Sequence, residues 1–123
     1  MAQDEFDVVP TFGVPPIAAG SGRTVAQDGM NMIAFNGAEV VALANSFVSA
    51  AAGSVVFACA DSKVTADDGS LVRGLAGASI VAKEGARVVA EAGCFVTALH
   101  GSTIWAYEGA IVTVVSEATV YRL

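Results

Sequence analysis

The chain has 123 residues, 54% of them apolar, with 12 acidic and 6 basic side chains for a net charge of −6. That much apolar surface excludes a disordered chain, and the acidic balance argues against a nucleic-acid partner, which needs clustered Lys and Arg to meet phosphates. Two Cys and one His make neither a disulfide framework nor a zinc site.

Residues 1–23 differ in composition from the rest of the chain. Met1–Asp7 (MAQDEFD) is acidic and lacks the apolar stretch of a signal peptide. Pro10, Pro15 and Pro16 set an extended path, and Ala19-Gly20-Ser21-Gly22 supplies a flexible joint after them. The segment is expected to be a docking arm that carries Phe6, Val9, Pro10, Phe12, Pro15 and Pro16 to a neighbouring subunit or partner. Gly20-Ser21-Gly22 lacks the Lys-Ser/Thr of a phosphate-binding loop.

From Thr24 to Leu123 an eight-residue repeat runs without insertion. Its first position is Thr24, Met32, and then Val or Ile at every step from Val40 to Val120. The third position is Ala in every complete unit except at Gly74 and Val114. The sixth is Gly, replaced at Asn45, Asp61 and Glu117, and the seventh is Ser, Ala or Cys in all but the first unit, which has Met30. The consensus is V-x-A-x-x-G-(S/A)-x.

Each position has a physical reading. Residues two apart point to the same side of a strand, so the first and third positions face inward and the second and fourth face out. Gly, Asn and Asp tolerate positive φ best, so a left-handed corner is expected at the sixth position, followed by a small residue that fits an inner corner. Such a unit cannot bury its face alone and must stack on copies of itself, about 4.8 Å per layer. The expected fold class is all-β: a parallel β-helix, or β-solenoid, over 24–123, with the arm over 1–23. No helical face has this period.

The inward side chains are small and suit a thin interior. A flattened coil of two octads, sixteen residues, is therefore expected; the competing arrangement winds three chains together, each giving one octad per layer. In the two-octad coil one face presents Val25, Val41, Phe57, Arg73, Val89, Trp105 and Tyr121. The other presents Ile33, Ser49, Thr65, Val81, Thr97 and Thr113, with Phe35, Phe47 and Phe95 in its flanking columns.

Val40–Ala60 carries no charge and approaches the length of a membrane span. Asn45, Ser46, Ser49, Gly53 and Ser54 interrupt it, and the octad phase continues on both sides, so no span is expected. Cys59 takes the outward fourth position and Cys94 the small seventh, where a buried thiol is expected; the two differ in phase, so no disulfide is expected. Asp67-Asp68 before Gly69 suggests a calcium turn, but in one unit only, and is read as solvated surface, as are Lys83, Glu84 and Arg87. His100 stands alone at a turn, and nothing resembles a nucleophile with its base. No enzyme activity, cofactor or metal is expected. The outward apolar residues instead suggest an interface, with Val41, Phe57, Val89, Trp105 and Tyr121 expected to carry self-association.

The octad resembles the half-repeats of bacterial ice-nucleation proteins, roughly T-x-A-G-Y-G-S-T, which pair into sixteen-residue coils; Val96–Thr103 (VTALHGST) shows the likeness best. It is also similar to the valine-and-glycine octapeptides of phage spike β-helices, which are trimeric. Both likenesses cover 24–123. The paired Thr-x-Thr columns of the first family and the third-position Gly of the second are missing here, so no functional residue is carried over. A rigid rod, an apolar face and an arm together point to a non-enzymatic structural protein of a phage or virus particle, capsid-decorating or spike-like. Such a protein is expected in the virion, as a homotrimer or other homo-oligomer docked on a capsid or other assembly protein, without nucleic-acid or membrane contacts. The alternative is an ice-binding or surface-binding module that uses the Thr/Ser column.

Overall fold

The computed structural model describes residues 17–20 and 22–123. Within them the chain alternates strand by strand between two seven-stranded parallel sheets. The odd sheet holds β1 (Ile17–Ala19), β3 (Asn31–Ala34), β5 (Phe47–Ala50), β7 (Lys63–Ala66), β9 (Ser79–Ala82), β11 (Phe95–Ala98) and β13 (Ile111–Val114). The even sheet holds β2 (Gly22–Ala26), β4 (Ala38–Ala42), β6 (Val55–Ala58), β8 (Leu71–Gly74), β10 (Arg87–Ala90), β12 (Thr103–Ala106) and β14 (Thr119–Arg122). No helix occurs among the described residues.

The register carries the sixteen-residue coil throughout the octads. Ile80 pairs with Val64 on one side and Val96 on the other, and Val88 pairs with Val72 and Ile104. One chain closes its own coil from two octads, so the arrangement of three intertwined chains is not adopted. The first and third positions meet across a thin interior: Val40, Val56, Val72, Val88 and Ile104 are fully buried, as are the Ala residues beside them.

Pairing begins ahead of the octad phase. Ile17 lies against Met32, fifteen residues on, whereas Gly22 lies against Ala38, sixteen on. The first coil is thus one residue shorter, and the difference falls in the link through Gly20 and Gly22, where Gly22 has φ of +107°. Phe6, Val9, Pro10, Phe12, Pro15 and Pro16 lie outside the described residues.

The corners explain the sixth and seventh positions. The seventh N–H donates to the fourth carbonyl, as from Ser54 to Ala51 O at 3.1 Å, closing a turn whose third residue has positive φ. Gly53 (+80°), Asn45 (+64°) and Asp61 (+66°) all adopt it. Sixth-position N–H groups then bond along the stack, Asn45 N to Asp61 O at 2.9 Å for example. At Glu117 the left-handed corner is absent, since its φ is not positive. Its Cβ resists that region, and it lacks the short side chain with which Asn or Asp can bond its own backbone. The seventh-position serines do more than fit: buried Ser46, Ser54, Ser62, Ser70 and Ser102 each donate their hydroxyl to the fourth-position carbonyl, at 2.6–2.7 Å. A hydroxyl buried at an inner corner is thereby satisfied within its own turn.

Gly74 breaks the third-position rule for a reason that lies across the core. A Cβ there would stand 2.4 Å from Cys94 Sγ and 2.5 Å from Ile80 Cδ1, both reaching in from the odd-sheet side. Cys94 and Ile80 are larger than the Ser or Ala and the Val usual at their positions, and they fill the volume that an alanine would need. Gly74→Ala is therefore expected to overpack the interior and lose about 1–3 kcal/mol. Combining it with Cys94→Ala and Ile80→Val should recover most of that loss in a thermal melt, whereas a melt unchanged by Gly74→Ala alone would show that the interior yields.

Candidate self-association surface

Stacking in register turns each outward octad position into a column. On the even sheet the second position gives Val25, Val41, Phe57, Arg73, Val89, Trp105 and Tyr121, each paired with the next. The five residues expected to carry self-association therefore stand on one face. Phe57 and Tyr121 are exposed, while Val41, Val89 and Trp105 are half-buried between their column neighbours. The Trp105 and Tyr121 rings stack, with centroids 5.9 Å apart and 19° between planes. Exposed Leu43, Leu75 and Tyr107 border the column on its fourth-position side, and half-buried Val55 and Leu71 on the other. A shallow depression of about 360 Å³ lies among Val55, Phe57, Leu71, Arg73, Val89 and Tyr107.

One charge interrupts the apolar column. Arg73 donates from Nε to Glu91 Oε2 at 2.8 Å. Glu91 holds the fourth position of the next coil up on the same face, so the pair is local to the face. At this exposure it adds little to stability, but it leaves the guanidinium neutralised. Arg23 and Glu39 pair similarly at the edge, at 3.2 Å. Sequence reasoning missed the Arg73–Glu91 pair; its signal was a spacing of sixteen plus two, meaningful only once the coil length is known.

The odd-sheet face is of another kind. Ser49, Thr65, Val81 and Thr97 follow one another in register along its centre. Phe47 and Phe95, each 49% exposed, rise beside them with Lys63 and Ser79 between. Together they border a trough of about 570 Å³. The Lys63 ammonium lies 5.5 Å from the centroid of the Phe47 ring, in cation–π range.

The remaining candidates for chemistry are separate. His100 is exposed in its turn, Asp67 faces Lys83 at 3.6 Å, and Asp68 is exposed. Among the described residues no cluster of His, Cys, Asp or Glu could hold a metal ion, and no helix is long and apolar enough to cross a membrane.

Both cysteines are free, Cys59 half-buried on the outer surface and Cys94 buried. Burial, with the Glu91 charge as a second cause, pushes the Cys94 thiol from its ordinary 9.0 up to about 11. Above pH 9 the unfolded chain ionises this thiol and the folded chain does not, so stability falls as pH rises from 9 towards 11. Wild type should therefore lose more melting temperature than Cys94→Ala between about pH 8 and about pH 10.5. In native protein an alkylating agent should spare Cys94 until denaturant is added, and modification of Cys94 in the native protein would contradict the buried assignment.

No protein-family model, curated protein or solved structure matches this chain.

Proposed function

We propose that the chain is a non-enzymatic structural protein that self-associates through the outer face of the even sheet within a larger assembly. The observation that carries this reading is the apolar column running the height of that sheet, from Val25 to Tyr121, with leucines and Tyr107 beside it. Exposed apolar surface of this extent lowers the solubility of a lone molecule and becomes favourable only when covered. A rigid stacked rod with a proline-bearing segment at one end meets the needs of a phage or virus particle, as a capsid-decorating or spike-like protein docked by residues 1–16. Against the ice-binding or surface-binding alternative stand Val81, which interrupts the hydroxyl column, and the rings of Phe47 and Phe95, which rise from that face where a flat array would be needed.

The test combines mass in solution with co-sedimentation. Wild type should be an oligomer by light scattering, and Trp105→Ser should shift it towards monomer without changing its β-rich circular dichroism spectrum. Removing residues 1–16 should leave every described strand in place and the oligomer intact, but abolish co-sedimentation with particles purified from the source. A truncated chain that still co-sediments fully would overturn the docking role of the arm. A wild-type monomer at high concentration would overturn self-association and favour the surface-binding alternative.

A further inference from the structure

The even-sheet column has an order of sizes as well as an apolar character. From one end to the other it runs Val25, Val41, Phe57, Arg73, Val89, Trp105, Tyr121. Small residues gather at the N-terminal end, the two largest rings stack at the C-terminal end, and Arg73 is the middle rung. Two copies can pack these faces together in two symmetric ways. With solenoid axes parallel, every residue opposes itself. Trp105 and Tyr121 then meet their own mates at one end and hold the sheets apart where Val25 and Val41 meet theirs at the other. The two rods splay, and the valines lose the close packing that stabilises an apolar interface.

With the axes antiparallel the order becomes self-complementary. Tyr121 opposes Val25 of the second copy, Trp105 opposes Val41, Phe57 opposes Val89, and Arg73 lies on the two-fold axis. Each rung except the middle one then sets one large side chain against one small one, and the separation stays even along the face. The two-fold axis runs along the strand direction, so the flanking columns also meet themselves in reverse order. Leu75 opposes Leu75 and Leu71 opposes Leu71 on either side of the arginines, and Leu43 opposes Tyr107. Because each Arg73 keeps its own Glu91, two neutralised pairs meet at the axis where two bare cations would repel. Seven strands and three outward columns cover about 30 Å by about 15 Å, so two copies enclose roughly 900 Å² before side-chain relief is counted, the size of a weak contact and below the ~1,200 Å² at which standard stable interfaces begin.

We infer that the partner on the even face is a second copy of this chain, packed with its solenoid axis antiparallel on a two-fold axis at Arg73. This rests on the reading that the even face self-associates, and it adds the number of copies and their direction. Such an isologous contact closes on itself, giving a dimer and leaving both odd faces outward.

The experiment uses the full-length chain with Cys59→Ser, so that the buried Cys94 is the only native thiol left. Differently tagged Val25→Cys and Tyr121→Cys variants are co-expressed and treated with a short bis-maleimide. The cross-linked product should contain one copy of each variant and should be lost when either variant is expressed alone. Cross-linking of Val25→Cys to itself would overturn the antiparallel direction and leave the interface standing. A dimer by light scattering that yields no cross-link with either variant would overturn the choice of face. A monomer by light scattering would overturn the self-association reading itself.

Discussion

Val88→Asp should unfold the protein at temperatures where Thr97→Asp leaves it native. Val88 is fully buried between Val72 and Ile104 in a thin interior that offers a carboxylate no partner among its apolar neighbours. An unpaired charge there must either lose its hydration or take up a proton, and the expected cost is above about 3 kcal/mol. Thr97 lies on the outward side of β11 between Val81 and Thr113, half-buried, where a carboxylate keeps contact with water. Its replacement should cost about 1 kcal/mol or less. Thermal melts compare the two directly, and equal losses would mean that inward and outward faces have been exchanged.

The second large effect concerns the corners. Gly93 has φ of +84°, and a Cβ added to it would lie 3.1 Å from Ala76 Cβ in the coil below. That contact is tight but not prohibitive. Asp61, seventeen residues after Ala44, occupies the equivalent corner at φ of +66° with a real Cβ. Gly93→Asn should therefore be accommodated at about 1 kcal/mol, because Asn visits the left-handed region and can bond its own backbone. Gly93→Val brings a branched Cβ into the same region, at roughly 2–3 kcal/mol. At about 3–6 °C per kcal/mol for a chain of this size, the two variants should differ clearly in melting temperature. Indistinguishable melts would remove the conformational argument for the sixth position.

Both effects can be read from the octad alone, and the structure adds their neighbours and distances. The same holds for the surface: Val41, Phe57, Val89, Trp105 and Tyr121 fall on one face because they share an octad position in alternate units. The partner of Arg73 was not legible, nor was the trough between Phe47 and Phe95. Those depend on which coils are neighbours and how far long side chains reach between columns.

The rhythm of this protein is written in its octads. Strand, corner, inward face and outward face come from an alternation of side chains along the chain and from the intolerance of most residues for positive φ, and both act within a few residues. The number of octads that close a coil was settled in three dimensions, because it depends on whether two opposed rows of Val and Ala fill the space between them. So were the joining of Ile17–Ala19 to the odd sheet one residue out of phase and the lack of room for a Cβ at position 74. The deciding neighbours are distant in the chain: Met32, fifteen residues on, pairs with Ile17 along the sheet, and Cys94, twenty residues on, meets position 74 across the interior. A local period cannot specify such contacts; strand pairing between coils and packing across the thin interior do.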